Sequence, residues 1–425
     1  MKVLILGSGG REHALAWSVS RSPRVTEVVC APGNGGIAEV ARCVPVDLKD
    51  VDAMVRLARI EQPSLTIVGP ELPLSLGVVD ALQENGYRVF GPTRDAARLE
   101  SSKAFAKQFM KRHKIPTANY AVCKSSAELE KAVNLFHPPI VVKADGLAAG
   151  KGVIICPTRH TAVESAQGLF SGALLGSAEQ TVVVEEFLEG EELSFLCLTD
   201  GNHIAPLVPA QDHKRVGEGD TGPNTGGMGV YSTSEMLEPH MTEWIIRHIA
   251  EPTVRGMAEE GAPFAGVLYC GLMMTARGPL VLEYNARFGD PETQAIVIRL
   301  ESDLVDALEA CVGRRLSETE LRWSPGASAC VIASSAGYPG SYKTGFPIKG
   351  LSNAAQVSGV QIFHSGTQRV GTQLLTSGGR VLGVTASAES LDQALARAYQ
   401  SLAEIQFDGI YYRHDIGYRA LKHSR

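Results

Sequence analysis

The first hundred residues alternate short apolar runs with amphipathic stretches. Val3–Leu6 predicts a buried strand that ends in the turn Gly7-Ser8-Gly9-Gly10, and a helix follows from about Arg11 to Ser20. Val25–Cys30, Leu65–Val68 and Val89-Phe90 predict further strands. Such βαβ alternation predicts a parallel sheet. Ligands of open parallel sheets bind beyond the carboxyl ends of the strands. Three turns lie there: Gly7–Gly10, Ala31–Gly36 and Gly69–Glu71.

The pattern then changes. A helix-rich link runs from Asp95 to His113. Pro139–Lys143 and Gly152–Ile155 predict a strand pair around a glycine-rich turn, and Thr181–Glu185 another strand. Leu193–Leu198 with Ile204–Val208 predicts a hairpin, as does Ala265–Met274 with Leu280–Asn285. Arg215–Gly229 holds six glycines and predicts a loop. Trp323-Ser324-Pro325-Gly326 predicts a boundary, followed by short β runs (Ala329–Ser334, Val381–Ala386) and a helix near Leu391–Ile405.

Composition narrows the class. A chain of 425 residues has room for about two to four domains of roughly 150 residues. With 44% hydrophobic and 20% charged residues it can bury a large core. The formal net charge of −6 leaves no basic footprint for nucleic acid, so any phosphate site must be local. The eight cysteines are scattered without zinc spacing and read as small core residues of a reduced compartment. No apolar stretch approaches the ~18 residues of a membrane span, and the N-terminal apolar run is too short for a signal peptide. The expectation is a cytoplasmic protein without membrane contact.

Four segments offer chemistry. Gly7–Glu12 begins like a dinucleotide fingerprint but has Glu12 where that motif needs glycine, which argues against a nicotinamide cofactor. A lone phosphate or carboxylate at the helix N-terminus fits, as does a plain tight turn. Lys143–Gly152 sets two lysines around small residues, so backbone N–H groups can approach phosphate oxygens and each lysine adds a point charge. Glu185–Glu192 is an acidic run around Phe187 and Leu188; it fits a solvated face or one wall of an apolar slot. Glu283 and Asn285 share a strand face, and a carboxylate beside an amide oxygen suits magnesium, although a surface strand explains the pair as well.

Together these segments resemble the ATP-grasp superfamily, in which two α+β subdomains close on ATP like a clamp. Within it the chain resembles the phosphoribosylamine–glycine ligase family. The resemblance is carried by Gly9–Ala16, Ala31–Asn34, Val68–Glu71, Ser102–Lys107, Lys143–Gly152, Gln211–Arg215, Asp220–Gly229, Arg287–Glu292, Ser377–Arg380 and Asp408-Gly409, in order, from residue 1 to about 420. Ser8 and Ala286 depart mildly, where the family often has Asn and Cys. The strand before Glu-x-Asn reads Gly271-Leu272-Met273-Met274 and lacks the acidic metal ligand common in ATP-grasp enzymes.

The resemblance implies an α/β and α+β multidomain fold. Residues 1–102 form an N-terminal parallel-sheet (pre-ATP-grasp) domain that binds substrate. Residues 103–325 form a two-subdomain ATP-grasp with a lid at about 121–189, and residues 326–425 a small β-rich domain. It implies ligation of glycine to 5-phosphoribosylamine with ATP, in de novo purine biosynthesis, by a stand-alone enzyme that is a monomer or weak homo-oligomer. Lys103, Lys143, Gly146, Gly150, Lys151 and Gly152 would hold the ATP phosphates, and Glu185, Leu188 and Glu192 would line the adenosine pocket. Glu283 and Asn285 would hold Mg2+ or Mn2+. Gly9, Gly10, Glu71 and Asp290 would face phosphoribosylamine and glycine, with Arg287, Asp290 and Lys143 as the catalytic set. The loop Asp145–Gly152 is expected to be mobile without nucleotide. Rival readings are another ATP-grasp ligase or carboxylase, or a non-catalytic nucleotide sensor. Asp220–Gly229 with Gly9–His13 speaks against the first, and the full set Lys103, Lys143, Glu283 and Asn285 against the second.

Overall fold

The computed structural model describes residues 1–147, 152–174 and 180–423. The predicted alternation at the N-terminus builds a five-stranded, all-parallel sheet. Its strands are β1 (Lys2–Gly7), β2 (Glu27–Pro32), β3 (Arg42–Cys43), β4 (Leu65–Val68) and β5 (Val89–Phe90), in the order β3-β2-β1-β4-β5. The strand expected at Val25–Cys30 begins and ends two residues later, because Val25 closes a turn onto Ser22 before pairing starts. β1 and β4 are apolar and buried along almost their whole length, as strands covered on both faces require.

A second, antiparallel sheet stands by itself: β6 (Tyr120–Cys123), β7 (Ile140–Ala144), β8 (Val153–Cys156) and β9 (Val182–Glu186), ordered β6-β9-β7-β8. It has its own core of Leu129, Ile140, Val142, Ala162, Leu169 and Val184. The third sheet pairs β10 (Glu191–Asp200) with β11 (Ile204–Pro206) and with β16 (Ala265–Thr275), which pairs in turn with β17 (Gly278–Asn285). Its inner face shares one core with the N-terminal sheet: Leu4, Leu6 and Val68 meet Phe195, Leu268 and Cys270. The two therefore pack as one body, against which the β6–β9 sheet is separate.

The glycine-rich stretch expected as a loop is largely structured. Residues 211–233 contain β12 (Gln211–Asp212), β13 (Arg215–Gly217), β14 (Thr221–Asn224) and β15 (Gly229–Thr233). β13 and β14 pair as a small hairpin, pinned where the Arg413 guanidinium meets the Asp220 carboxylate at 2.8 Å. β12 and β15 join β18 (Ala327–Ser335), β19 (Val360–His364), β22 (Arg380–Ala388) and β23 (Ile410–Tyr411) in the C-terminal sheet. That sheet thus takes two strands from before Trp323–Gly326. Glycine periodicity carries no register, so these long-range pairings lie beyond what the local pattern shows. β20 (Thr367–Val370) and β21 (Gln373–Thr376) form a separate hairpin. The helix Leu391–Leu402, capped by Ser390, packs on β18 and β22.

Candidate active site

The site lies where the β6–β9 sheet meets the larger body. A cleft there is lined by Glu71, Glu100, Lys103, Lys107, Lys143, Gly146, Gly152, Glu185, Glu283, Asn285 and Arg287, with Leu99, Ala106, Met110, Leu147, Val153 and Leu282 as apolar walls. A larger, open groove runs along Lys111–Tyr120 and Leu135–Pro139. It holds none of the converging lysines and carboxylates, so the chemistry belongs to the smaller cleft.

Lys143 is the penultimate residue of β7 and is 5% exposed. Its Nζ lies 3.0 Å from Glu185 Oε2 and donates to the Leu282 carbonyl at 3.1 Å. Lys107, one helical turn beyond Lys103 on the Lys103–Arg112 helix, reaches the same Glu185 Oε2 at 2.9 Å. Glu185 is 1% exposed, so the solvated-face reading fails for it. The described part of the small-residue loop is tied down. Asp145 accepts from Ser102 Oγ and Ala104 N, both at 3.1 Å, and Lys103 Nζ donates to the Gly146 carbonyl at 2.9 Å. The carboxylate of Asp145 thereby sits on the N-terminus of the Lys103–Arg112 helix, a natural place for an anion. Gly150 and Lys151, and with them the middle of the loop expected to be mobile, lie outside the described residues.

At the other end of the cleft, Arg287 lies 2.9 Å from Glu100 and 3.3 Å from Glu71. Burial lowers the pKa of its guanidinium, but the two carboxylates outweigh burial and raise it. Glu283 is pushed up by burial and down, more strongly, by Lys214, Lys143, Lys103 and Arg287, so it stays ionised. Asn285 Oδ1 accepts from Arg287 at 3.4 Å. Among the described residues no three His, Cys, Asp or Glu side chains converge as a metal cluster. Glu283 and Asn285 nevertheless fit magnesium held jointly with phosphates. They supply one carboxylate and one amide oxygen, and the surrounding lysines favour the phosphate partners.

Two residues of the expected adenosine set stand outside the cleft wall. Leu188 is buried in a small cluster with Ala118, Met273 and Leu280, one layer behind Leu282. Glu192 pairs with Lys214 at 2.8 Å, whose Nζ is 3.8 Å from Glu283. Gly9, Gly10 and Asp290 form a second cluster, joined to the cleft through Glu71 and Arg287. Gly9 N donates to Glu12 Oε2 at 2.5 Å. Asp290 accepts from Gln294 Nε2 at 2.9 Å and lies 3.4 Å from Arg380. Burial raises the Asp290 pKa, but Arg380 and Arg11 lower it further. A Cβ on Gly10 would meet Gln294 Nε2 and Ser365 Oγ, both at 2.6 Å, so protein fills the space on that side.

The local pattern marks no role for Lys107, Glu100, Lys214 or Arg380. Lys107 alone carries a signal, because residues four apart share a helix face and Lys103 belongs to the expected phosphate set. The other three meet the site only through tertiary contacts.

The chain matches the models of the phosphoribosylglycinamide synthetase N domain over residues 1–100, ATP-grasp (A) domain over 101–293 and C domain over 328–419. It is 49% identical to the phosphoribosylamine–glycine ligase of Vibrio cholerae, covering 99% of both chains. It is also 49% identical to that of Pseudomonas aeruginosa, covering 100% of this chain and 99% of the relative. The crystal structure of phosphoribosylamine–glycine ligase from Thermotoga maritima superposes with a TM-score of 0.86 at 34% identity, covering 98% of this chain and 100% of that one. A biotin carboxylase from Campylobacter jejuni shares the fold, with a TM-score of 0.72 at 13% identity.

Proposed function

The chain belongs to the phosphoribosylglycinamide synthetase family, and from that premise we propose that it joins glycine to 5-phosphoribosylamine, converting ATP to ADP and phosphate and yielding glycinamide ribonucleotide. The observation that carries this reading is the full-length match to ligases of that name together with a cleft in which lysines, Arg287, Glu283 and Asn285 converge. The enzyme would serve de novo purine biosynthesis in the cytoplasm, as a monomer or weak homo-oligomer.

The chemistry suits these side chains. A carboxylate is a poor acyl donor because oxide is a poor leaving group. Transfer of the ATP γ-phosphoryl to a glycine carboxylate oxygen breaks the β–γ bridge and gives glycyl phosphate. The amine of phosphoribosylamine then attacks the carbonyl carbon, the C–O bond to phosphate breaks, and the nitrogen loses a proton. Phosphoryl transfer asks mainly for positioning and charge neutralisation. Lys103, Lys143 and Lys151, with backbone N–H groups of Gly146, Gly150 and Gly152, supply these for the phosphates. Lys103 must exchange the Gly146 carbonyl for a phosphate oxygen to do so. Glu185, with Leu188 and Glu192 behind the wall, serves the adenosine end. Mg2+ or Mn2+, held by Glu283 and Asn285, would offset phosphate charge. Arg287 faces the transferring phosphoryl. Gly9, Gly10, Glu71 and Asp290 serve the amine and glycine side, with Glu71 orienting Arg287.

Two measurements test the reading. ADP should appear only when glycine and phosphoribosylamine are both present; release with either alone at the same rate rejects it. Glu283→Ala combined with Asn285→Ala should leave the fold intact and remove turnover. Near-normal turnover at ordinary magnesium would remove the metal from these two residues.

A further inference from the structure

Glu185 is almost wholly buried at the cleft wall, yet among the described residues only one of its carboxylate oxygens is used. Oε2 takes both ammonium groups, Lys107 at 2.9 Å and Lys143 at 3.0 Å. Among the described residues Oε1 is buried without a hydrogen-bond partner. A buried acceptor left open is costly, and a ligand that donates to it recovers that cost. The neighbouring walls, Leu99, Ala106, Met110, Leu147, Val153 and Leu282, are apolar and suit a flat ring. A purine carrying an exocyclic amine is both flat and a donor to a carboxylate.

Lys107 decides where that oxygen stands. It is 2% exposed and fixed from two sides, by Glu185 and by Thr117 Oγ1 at 2.8 Å. The Thr117 hydroxyl donates in turn to the Val281 carbonyl at 2.6 Å. Lys143 meanwhile holds the next carbonyl of β17, Leu282. The two lysines therefore lock Glu185 of β9 to two successive residues of β17, across the boundary between the separate sheet and the larger body. Of these two lysines the ligase reading assigns only Lys143 to phosphate; Lys107 is committed to the carboxylate.

We propose that Lys107 is a positioning residue that acts through Glu185, fixing its free oxygen so that the cleft selects a purine bearing an exocyclic amine. The inference rests on the ligase reading for the placement of ATP in this cleft. Burial lowers Lys107 to about 8, against the attraction of Glu185 and with the repulsion of Lys143; Glu283 attracts it more weakly. The selection should therefore weaken as pH rises through about 8.

The test compares equilibrium binding of magnesium–ATP with that of magnesium–purine riboside triphosphate, which lacks the amine. The complete enzyme should prefer ATP by about tenfold. Lys107→Met, which keeps the alkyl stem, should reduce the preference to about threefold or less, and Lys107→Arg should restore it. Michaelis constants for glycine and phosphoribosylamine should not move. Thr117→Val, a milder change, should reduce the preference partway and serves if Lys107→Met melts below the assay temperature. An unchanged preference in folded Lys107→Met or Thr117→Val, or equal weakening of both nucleotides, overturns the inference. So does a wild-type enzyme without the preference, even one that turns over glycine and phosphoribosylamine. A wild-type enzyme with the preference but no such turnover overturns the ligase reading alone.

Discussion

Two glycine-rich turns look alike in sequence and are put to opposite use. Around Gly7–Gly10 every missing Cβ marks a place another side chain occupies. Glu12 folds back so far that a Cβ on Gly7 would lie 2.4 Å from its Cγ and one on Gly69 2.1 Å from its Oε1. Gly9 faces Glu12 and Asp290, and Gly10 faces Gln294 and Ser365. At the other turn, a Cβ on Gly146 would meet none of the described residues within 4 Å; glycine is needed there for its φ of +101°. The first turn is a packed junction between the N-terminal sheet, the Glu292–Val297 helix and the C-terminal sheet. Gly146, on the described part of the second, lines the cleft with open space on its Cβ side. A glycine therefore signals close approach, and only the tertiary neighbours say whether the approaching partner is protein or ligand.

If this contrast holds, changes beside the open turn should alter turnover, and changes at the filled turn should alter stability. The largest effect is expected for Lys143→Ala, which removes one preorganised charge. Turnover should fall on the order of a hundredfold, ~2.7 kcal/mol. Loss confined to glycine affinity, with nucleotide handling untouched, would detach Lys143 from the phosphates.

Acid should act on the filled side. His13, on the Gly10–Ser20 helix, accepts from His364 N at 2.8 Å. Burial, with His364 adding to it, lowers His13 to about 3; burial and Arg369 lower His364 to about 4. Both rings are neutral when folded, whereas the unfolded chain takes up protons below about 6.5. The stabilisation is full above that pH and is lost as pH falls from about 6.5 toward 4, by on the order of a few kcal/mol. Urea midpoints measured at pH 7.5, 6 and 5 should fall in that order, and less steeply in His13→Asn. A flat profile would mean that this junction opens without global unfolding.

The smallest effects contrast the two turns directly. Gly10→Ala should destabilise by about 1–3 kcal/mol through overpacking against Gln294 and Ser365. Gly146→Ala should cost about 1–2 kcal/mol, from left-handed backbone strain alone. Denaturant midpoints read both losses: cutting Gln294 back to Ala should relieve the loss at Gly10 and not the loss at Gly146, and equal relief at both positions would erase the distinction. The same geometry alters the expectation for Gly10: a larger side chain such as valine should weaken the junction first, with phosphoribosylamine affinity following from that.

Much of the architecture can be read locally. Continuous apolar runs mark β1, β4 and β5, and the hairpins β10–β11 and β16–β17 follow from apolar runs separated by Asp200-Gly201 and Arg277-Gly278. Ordered strings such as Lys143–Gly152 and Arg287–Glu292 single out the cleft residues before any coordinate is known. Glu12 departs from the dinucleotide motif, and the sequence shows no purpose for it. The structure supplies one, a buried carboxylate wedged among Gly7, Gly9 and Gly69.

What the sequence by itself determined is whatever depends on neighbours a few residues apart: strand runs, turns, the Glu283 and Asn285 face, and the lysines flanking small residues. These follow from the 2.0 and 3.6 periodicities and from the chemistry of single side chains. Only the tertiary structure decided that β12 and β15 join a sheet whose other strands begin at Ala327, far along the chain. It alone turned Leu188 away from the cleft, set Lys107 on Glu185, and paired Arg287 with Glu71 and Glu100. Those contacts join residues dozens to more than two hundred positions apart. Their energies come from burial and charge pairing in a shared interior, and no local pattern along the chain encodes which distant partner will be there.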